Sequence, residues 1–237
     1  MIQVTDEFDF DKYWIAKCSK SLDNVTGIKI RKKIMKGSEG LSDKSEREDI
    51  IQWSKKAIEK MDFLLDEQKK VEIMTSCSCQ YPKNQLQMIK ENYKENKDVN
   101  LAHQMLQAQS EEFLKNPSLN LTEGIIKDII SKGWGSAGVL KGDKIIATKI
   151  PKSGYIVDYY STDDKKEKRK MYCHCPRVKD ALKLNIQLSM TYCYCGAGFY
   201  KGIWEEILQK PVTVKILETV MNGDDVCKFE IQLPIEI

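Results

Sequence analysis

Three Cys-x-Cys pairs are the segments of this sequence whose side chains are best suited to chemistry. They use six of the eight cysteines, far more pairing than random placement would give. The pairs are Cys77-Ser78-Cys79, Cys173-His174-Cys175 and Cys193-Tyr194-Cys195. In a reducing compartment, thiols concentrated in this way are more often metal ligands or reactive groups than disulfide partners. The spacing therefore predicts a metal site or a reactive thiol, with plain core cysteines as the alternative.

The middle pair has a histidine between its thiols, which makes Cys173, His174 and Cys175 the candidates for catalysis. An imidazole in that place could serve as a metal ligand or lower the pKa of a neighbouring thiol. Together with the first pair, this segment predicts a second thiol cluster of Cys77, Cys79, Cys173 and Cys175. Iron–sulfur ligation by that cluster matches no familiar cysteine spacing, so a metal, a redox pair and structural thiols all stay open.

The composition narrows the class of protein. The chain has 237 residues, of which 41% are hydrophobic and 31% are charged, enough to form a core. Its first residues are acidic without an apolar stretch, and no apolar run reaches the roughly 18 residues of a membrane span. A net charge of +3 with four arginines among 38 basic residues disfavours nucleic acid as a partner. We therefore predict a cytoplasmic protein that binds neither nucleic acid nor membrane.

The two halves of the chain predict different elements. The first half has apolar residues at helical spacing over about 42–70, 84–93 and 100–114. The sequence Asn116-Pro117-Ser118 is the best linker candidate, which divides the chain into a helical region (1–118) and an α+β region (119–237), unless both form one continuous fold. Pro82 ends the element before it, so the first thiol pair is expected on a loop or a helix edge.

The second half predicts a mixture of strands and helices, with a short helix expected over about 121–132. Apolar residues flank a Lys-Gly-Asp-Lys turn over 139–148, which is typical of a hairpin. Strict alternation over 182–192 predicts a half-buried strand, and Gly196-Ala197-Gly198 predicts a turn before a helix that ends ahead of Pro211. The charged run 163–170 is expected to be a solvated loop.

The last forty residues predict a C-terminal hairpin around Asn222-Gly223, a favoured two-residue turn. The pairs expected on one apolar face are Val212–Leu233, Val214–Ile231 and Ile216–Phe229. The next pair on that face is Glu218 opposite Cys227. A buried carboxylate needs a partner, a proton or a metal, unless Glu218 reaches water at the hairpin end. The fold class predicted is α+β, with a helical N-terminal part packed on an antiparallel sheet that includes this hairpin.

Aromatic residues crowd the segment around the third thiol pair. Tyr192, Tyr194, Phe199 and Trp204 are the candidate residues for binding a small molecule, although aromatic residues at helical spacing are more often core. The glycine-rich loop 133–138 follows a helix and precedes a strand, the reverse of a dinucleotide-binding site. No nucleotide cofactor is therefore expected.

The C-terminal segment resembles a known superfamily. Its motif begins with a helix at 202–208 and a strand that starts at 211–212. An acidic residue at 217–218, a glycine turn at 223–224 and Cys-x-Phe at 227–229 follow. This motif resembles the end of the 4-vinyl-reductase-type ligand-binding domain and of the related family named for L-2-amino-thiazoline-4-carboxylic acid hydrolase. The likeness covers roughly the last half of the chain, and the Cys-x-Cys segments resemble a cysteine-rich bacterial group within this superfamily.

The resemblance implies a zinc site. Superfamily members that sense aromatic compounds hold a structural zinc with three cysteines and one glutamate, and Cys195, Glu218 and Cys227 match three of those positions. Met221 stands where the family has its remaining cysteine, and Cys193 would supply the missing thiolate. Zinc is therefore the expected cofactor, held by Cys193, Cys195, Glu218 and Cys227.

Two functions and one weaker alternative follow for this sequence. The first is a small-molecule-binding protein with a thiolate-rich zinc site. The second, implied by the resemblance, is a hydrolase of a cyclic amidine or another carbon–nitrogen bond that uses an activated cysteine or a metal-bound water. The third is a scaffold whose N-terminal helices bind a partner protein. A homodimer is left open as the oligomeric state.

Overall fold

The computed structural model describes residues 8–234 and shows an α+β fold, with helices throughout and a small sheet near the C-terminal end. The helices are α1 (Phe10–Thr26), α2 (Ile28–Met35), α3 (Arg47–Leu64), α4 (Glu67–Ser76), α5 (Lys83–Asn96), α6 (Val99–Leu114), α7 (Glu123–Ser131), α8 (Ile156–Ser161), α9 (Lys165–Tyr172), α10 (Pro176–Lys183) and α11 (Tyr194–Leu208). The strands are β1 (Val139–Lys141), β2 (Lys144–Thr148), β3 (Thr213–Glu218) and β4 (Lys228–Gln232). None of the helices in residues 8–234 has the length and apolarity needed to cross a membrane.

The helical first half follows the predicted pattern with one break. The helices predicted over 84–93 and 100–114 are confirmed as α5 and α6. The single helix predicted to reach residue 70 is wrong, because α3 ends at Leu64 and the Asp66 side chain accepts a hydrogen bond from the Lys69 N–H at the start of α4. An aspartate in that position satisfies a free amide of the first turn, so it begins a new helix.

The four strands form one antiparallel sheet in the order β1-β2-β4-β3. The β1–β2 hairpin predicted over 139–148 is confirmed. In the C-terminal hairpin, Val214 pairs with Ile231 and Ile216 pairs with Phe229, as the apolar pattern predicts. The register is set by burial, because a one-residue slip would turn every apolar side chain of β4 to the opposite face.

Three local predictions in the second half are wrong. The strand predicted over 182–192 is the end of α10 followed by a loop and a 3₁₀ turn at Met190–Cys193. There the Ser189 hydroxyl accepts from the Thr191 N–H, a local bond that competes with strand pairing. The charged run 163–170 lies largely in α9, which Asp164 caps, and Gly196-Ala197-Gly198 lies inside α11.

Helix α11 joins the helical first half to the sheet. It packs against α4 and α5 and also against β3 and β4. A Cβ atom at Gly198 would lie 2.2 Å from the Thr75 carbonyl oxygen, so the glycine allows the backbones of α4 and α11 to approach closely. One buried apolar cluster contains residues of both halves, among them Trp14, Met61 and Phe229. The regions 1–118 and 119–237 therefore share a core.

Candidate functional site

The three Cys-x-Cys pairs meet at one cavity of about 1070 Å³. Six of the eight cysteines line its wall, and all eight are free thiols. The six are Cys79, Cys173, Cys175, Cys193, Cys195 and Cys227. The convergence that sequence spacing could not establish is thus present, and it involves all three pairs together with Cys227.

Four separate parts of the fold position these thiols. Cys173 and Cys175 lie in the link between α9 and α10, where the backbone is extended before Pro176 begins α10. Cys193 and Cys195 flank the start of α11, Cys227 directly precedes β4, and Cys79 follows α4. The site therefore forms only when α11, the sheet and the α9–α10 link are packed together.

The remaining thiol of the first pair, Cys77, does not line the cavity but contacts a thiol that does. Cys77 is buried at the C-terminal end of α4, as the prediction of a helix edge has it. Its carbonyl oxygen accepts a weak hydrogen bond from the Cys195 Sγ at 3.5 Å, while its own Sγ donates to the Ile73 carbonyl at 3.2 Å. Of the predicted cluster of four, three thiols face the cavity and Cys77 faces the core.

Burial holds several cavity thiols in the protonated form. Desolvation raises the pKa of Cys193 to about 12, and the nearby Cys227 adds to the shift. Desolvation also raises the pKa of Cys173 well above its usual value, and that of Cys195 and Cys227 in the same direction. A thiol rather than a thiolate is the weaker nucleophile and metal ligand, so these four groups are an uncharged wall near neutral pH.

Weak polar contacts orient two of the thiols. The Cys193 Sγ and the Thr219 Oγ1 lie 3.3 Å apart, and the Cys175 Sγ donates to the Tyr192 Oη at 3.6 Å. Thiols are weak donors and behave largely as small apolar groups. These contacts fix side-chain direction without adding charge to the wall.

His174 is held in its neutral form beside the thiols. Its Nε2 lies 2.9 Å from the Ile150 carbonyl oxygen, which accepts the imidazole proton. The His174 side chain is exposed, but the protein packed around its ring and the charge of Lys149 lower its pKa to about 4. Because the ring is neutral at pH 7, it supplies no positive charge that would convert Cys173 or Cys175 to a thiolate.

Lys149 is the charged side chain placed among the thiols. Its backbone is fixed directly after β2, since its N–H donates to the Cys227 carbonyl at 3.0 Å and its carbonyl accepts from the Tyr172 Oη at 2.5 Å. Its ammonium lowers the pKa of the thiols of Cys173, Cys193, Cys195 and Cys227, although desolvation, the larger effect, raises it in each. Lys149 has no hydrogen-bond or ion-pair partner for this ammonium within residues 8–234.

Aromatic rings close the apolar side of the cavity. Phe199, Tyr200 and Phe229 form a run of contacts, with ring centroids 5.4 Å apart for the first pair and 5.6 Å apart for the second. Tyr172 and Trp134 add a second aromatic group, 6.4 Å between centroids and nearly perpendicular. All five rings line the cavity, and rings held in this way present a rigid apolar surface.

The four predicted ligand-binding aromatics separate into two groups. Tyr192 and Phe199 line the cavity, whereas Tyr194 and Trp204 do not. Trp204 is fully buried in the core, with its ring stacked over His103 at 6.4 Å. His103 has a further structural contact, because its Nε2 lies 3.0 Å from the Gly138 carbonyl oxygen.

The predicted pairing of Glu218 with Cys227 is wrong. A bulge after Ile216 shifts the register by one residue, so Glu218 pairs with Lys228 and its carboxylate accepts a hydrogen bond from that ammonium. The predicted two-residue turn is also replaced by a longer loop with a 3₁₀ turn at Val220–Asn222. The extra loop residues release the strands from strict alternation before they reach Cys227.

The four predicted zinc ligands are not assembled around one point. Cys193, Cys195 and Cys227 line the cavity, but Glu218 is held at the sheet by Lys228. Within residues 8–234, no three histidine, cysteine, aspartate or glutamate side chains are grouped as a single ion requires. Tetrahedral zinc would need four such groups at about 2.0–2.3 Å from one centre.

Sequence reasoning missed Lys149 and most of the aromatic wall. Lys149 follows an apolar strand, as many surface lysines do, and the chain offers 38 basic residues with no local mark that separates them. Tyr172 directly precedes the second thiol pair, and Phe229 lies two residues after Cys227. Closeness in sequence to a thiol is the one signal that could have found these two rings.

Comparisons with known proteins reach the C-terminal part of the chain. Residues 151–237, less than half of the chain, match a family of unknown function, DUF6144. A stretch of 49 residues, 21% of the chain, is 35% identical to Uncharacterized protein MJ0745 of Methanocaldococcus jannaschii. The chain spans 27% of the length of that curated relative. No solved structure matches the chain.

The family match contains most of the thiol wall. Five of the six cavity cysteines lie within residues 151–237, and only Cys79 lies before that segment. Lys149 lies two residues before the matched segment. The chain is thus similar to this family over the α9–α10 link, α11 and the C-terminal hairpin, and the names of the family and of the relative state no activity.

Proposed function

We propose that this protein binds a small organic molecule in the thiol-lined cavity. The observation that carries the proposal is the convergence of six thiols and nine aromatic side chains on one space of about 1070 Å³. Binding sites for small molecules are concave, mostly apolar and of about 300–1000 Å³, with a few polar groups that orient the ligand. The resemblance to a ligand-binding superfamily stays a prediction, and it points to the same class of protein.

The state of the thiols favours binding over cysteine catalysis. Four of them are held protonated by burial, and the neutral His174 provides no charge to activate Cys173. Protonated thiols are polarizable apolar groups that pack well against flat rings. Hydrolysis of a carbon–nitrogen bond and zinc binding both stay predictions. Each would first need a thiolate, and this arrangement disfavours the thiolate form.

A neutral fluorescent naphthalene dye tests the proposal directly. We expect saturable binding with a blue-shifted emission, because the dye moves from water to an apolar wall. The variant Cys175→Trp places an indole in the cavity and should weaken binding by at least about tenfold. Met190→Trp is the matched control, since Met190 is exposed and lies outside the cavity wall.

Thermal unfolding must first show that both variants are folded. Ser136→Trp, at a half-buried position of the same wall, replaces Cys175→Trp if the latter does not fold. Unsaturable dye binding to the wild-type protein would refute the proposal. Equal dye affinity in a folded cavity variant and in Met190→Trp would refute it as well.

A further inference from the structure

The cavity contains a cation without a counter-charge. Lys149 lines the wall, and no carboxylate pairs with its ammonium in the part of the chain that the structure describes. The other charged residues on the wall are Glu112 and Lys115. Glu112 is exposed on α6 and Lys115 is exposed directly after it, so their opposite charges offset each other outside the thiol wall.

The groups that face Lys149 leave its charge uncompensated. The neighbouring thiols of Cys173, Cys193 and Cys227 are protonated, and His174 is neutral. An ammonium in a partly closed apolar space loses part of its stabilisation by water, and these uncharged groups replace only some of it. A negatively charged ligand group would stabilise the ammonium through a charge-assisted hydrogen bond.

The backbone beside Lys149 keeps a place for its side chain. A Cβ atom at Gly196, in the first turn of α11, would lie 3.3 Å from the Lys149 Nζ and 3.3 Å from the Phe229 ring. The glycine thus lets the ammonium lie against α11, between that helix and the aromatic side of the cavity. A ligand in contact with Phe229 would have its polar end within reach of Lys149.

We infer that the ligand is an organic anion, with an aromatic or apolar body against the rings and its anionic group on Lys149. This inference rests on the proposed function and adds the charge class of the ligand. The cavity combines an apolar wall for the body with one cation among the thiols for orientation, which is the usual division of roles in such sites. Carboxylate and phosphate share this chemistry, and the test separates them.

Three matched naphthalene probes test the inference: 2-naphthoate, 2-naphthyl phosphate and the neutral 2-naphthalenemethanol. Affinities are measured by calorimetry on the full chain. We expect at least one of the two anions to bind about tenfold more tightly than the alcohol, a preference worth about 1.4 kcal/mol. The tighter of the two anions identifies the charged group that the site prefers.

Substitution at Lys149 assigns the preference to its ammonium. Lys149→Met should reduce the affinity for the preferred anion to that for the alcohol, and leave the alcohol unchanged. Lys149→Arg should retain the anion preference, because it keeps the charge. Lys152→Met is the control, since Lys152 lies outside the cavity wall and its loss should not change the preference.

The outcomes separate the inference from the proposed function. Equal binding of all three probes to the wild-type protein would overturn the inference and leave the binding cavity supported. An anion preference that survives in Lys149→Met would also overturn the inference. Binding of none of the probes would overturn both proposals.

Discussion

Two cations within this fold, Arg177 and Lys149, differ in whether a carboxylate pairs with their charge. Arg177 is fully buried in α10, where its Nε donates to the Asp11 carboxylate at 2.8 Å and its guanidinium lies 4.2 Å from the centre of the Trp14 ring. The second oxygen of Asp11 accepts from Arg47 at 2.5 Å. Lys149 is half-buried and has neither a carboxylate nor a hydrogen-bond partner in the described residues.

The difference separates a structural charge from one available to a ligand. Asp11 ties α1 to α10 through Arg177 and to α3 through Arg47, so it fixes the helical first half against the segment that carries Cys173 and Cys175. An ion pair of this kind is stabilised within the protein and offers nothing to a ligand. The Lys149 ammonium has no such partner within the described residues. An unpaired charge of this kind lowers the stability of the fold, as groups kept for binding commonly do.

The largest effect is expected from removal of the partner of Arg177. Asp11→Ala leaves a fully buried guanidinium without its carboxylate, and should lower the free energy of unfolding by about 3–5 kcal/mol. Urea unfolding followed by circular dichroism measures this loss. Asp23→Ala is the control, because its pair with Arg31 is partly exposed and should cost less than about 1 kcal/mol. Similar losses in both variants would contradict a structural role for Asp11.

A second prediction compares the packed and exposed parts of α11. Gly198→Ala places a methyl group against the Thr75 backbone and should cost about 1–3 kcal/mol of unfolding free energy. Gly202→Ala, on the same helix with nothing within 4 Å of the new Cβ, should gain about 0.5–1 kcal/mol. Thermal unfolding of both variants measures the difference. A gain for Gly198→Ala would mean that α4 and α11 do not pack closely at this point.

Some of these contacts could be predicted from the sequence and others could not. The pairing of Val214 with Ile231 follows from alternating apolar residues, because burial on one face permits only one register. The bulge at Glu218 depends on how the loop 219–227 folds, and the Asn222-Gly223 dipeptide suggested a shorter turn. The alternation over 182–192 suggested a strand, but tertiary packing placed these residues in a helix end and a 3₁₀ turn.

The site was predictable in its residue types and not in its geometry. The clustering of cysteines predicted that the three pairs carry the chemistry, and the cavity brings one or both thiols of each pair to one wall. The position of Glu218 away from that wall and of Lys149 on it depend on the packing of β2 and β3 with α11. No local pattern encodes such contacts between distant segments, so the sequence alone could place neither Glu218 nor Lys149.

The protonated thiol wall predicts a loss of stability at alkaline pH. In the unfolded chain a cysteine loses its proton near pH 8.5, whereas Cys193 keeps its proton up to about pH 12 in the folded protein. Between these values the folded state binds the extra proton, so the free energy of unfolding falls as pH rises, by up to about 1.4 kcal/mol per pH unit for one thiol. Urea unfolding under reducing conditions from pH 7 to 10 measures the slope.

Cysteine variants identify the thiols responsible for that slope. Cys193→Ala should give a shallower decline, since the shifted group is absent. Cys79→Ala, which removes an exposed thiol, should keep the slope of the wild-type protein. Equal slopes in the two variants would show that the thiol of Cys193 is not desolvated. The wall next to Lys149 could then not be described as uncharged.

Lys149 and Arg177 should also respond oppositely to the loss of charge. Lys149→Met removes an ammonium that has no partner and adds apolar surface to an apolar wall, so the ligand-free protein should gain about 0.5–1 kcal/mol. Lys144→Met is the control, because loss of its partly exposed pair with Glu230 should change stability by less than about 0.5 kcal/mol. Unfolding of refolded, ligand-free protein measures both changes. A clear loss in Lys149→Met would assign Lys149 to the same structural class as Arg177.

The smallest effect concerns the neutral imidazole next to the thiols. The pKa of His174 is about 4 because the protein around the ring and the charge of Lys149 disfavour its charged form, so the folded protein takes up this proton well below the usual pH near 6.5. Stability from this group is complete above pH 6.5 and is lost as pH falls toward 4. Titration of the imidazole C–H resonances by NMR measures the pKa, with His103→Gln to assign the signals. In Lys149→Met the pKa of His174 should rise, and an unchanged value would mean that the ammonium does not face the imidazole.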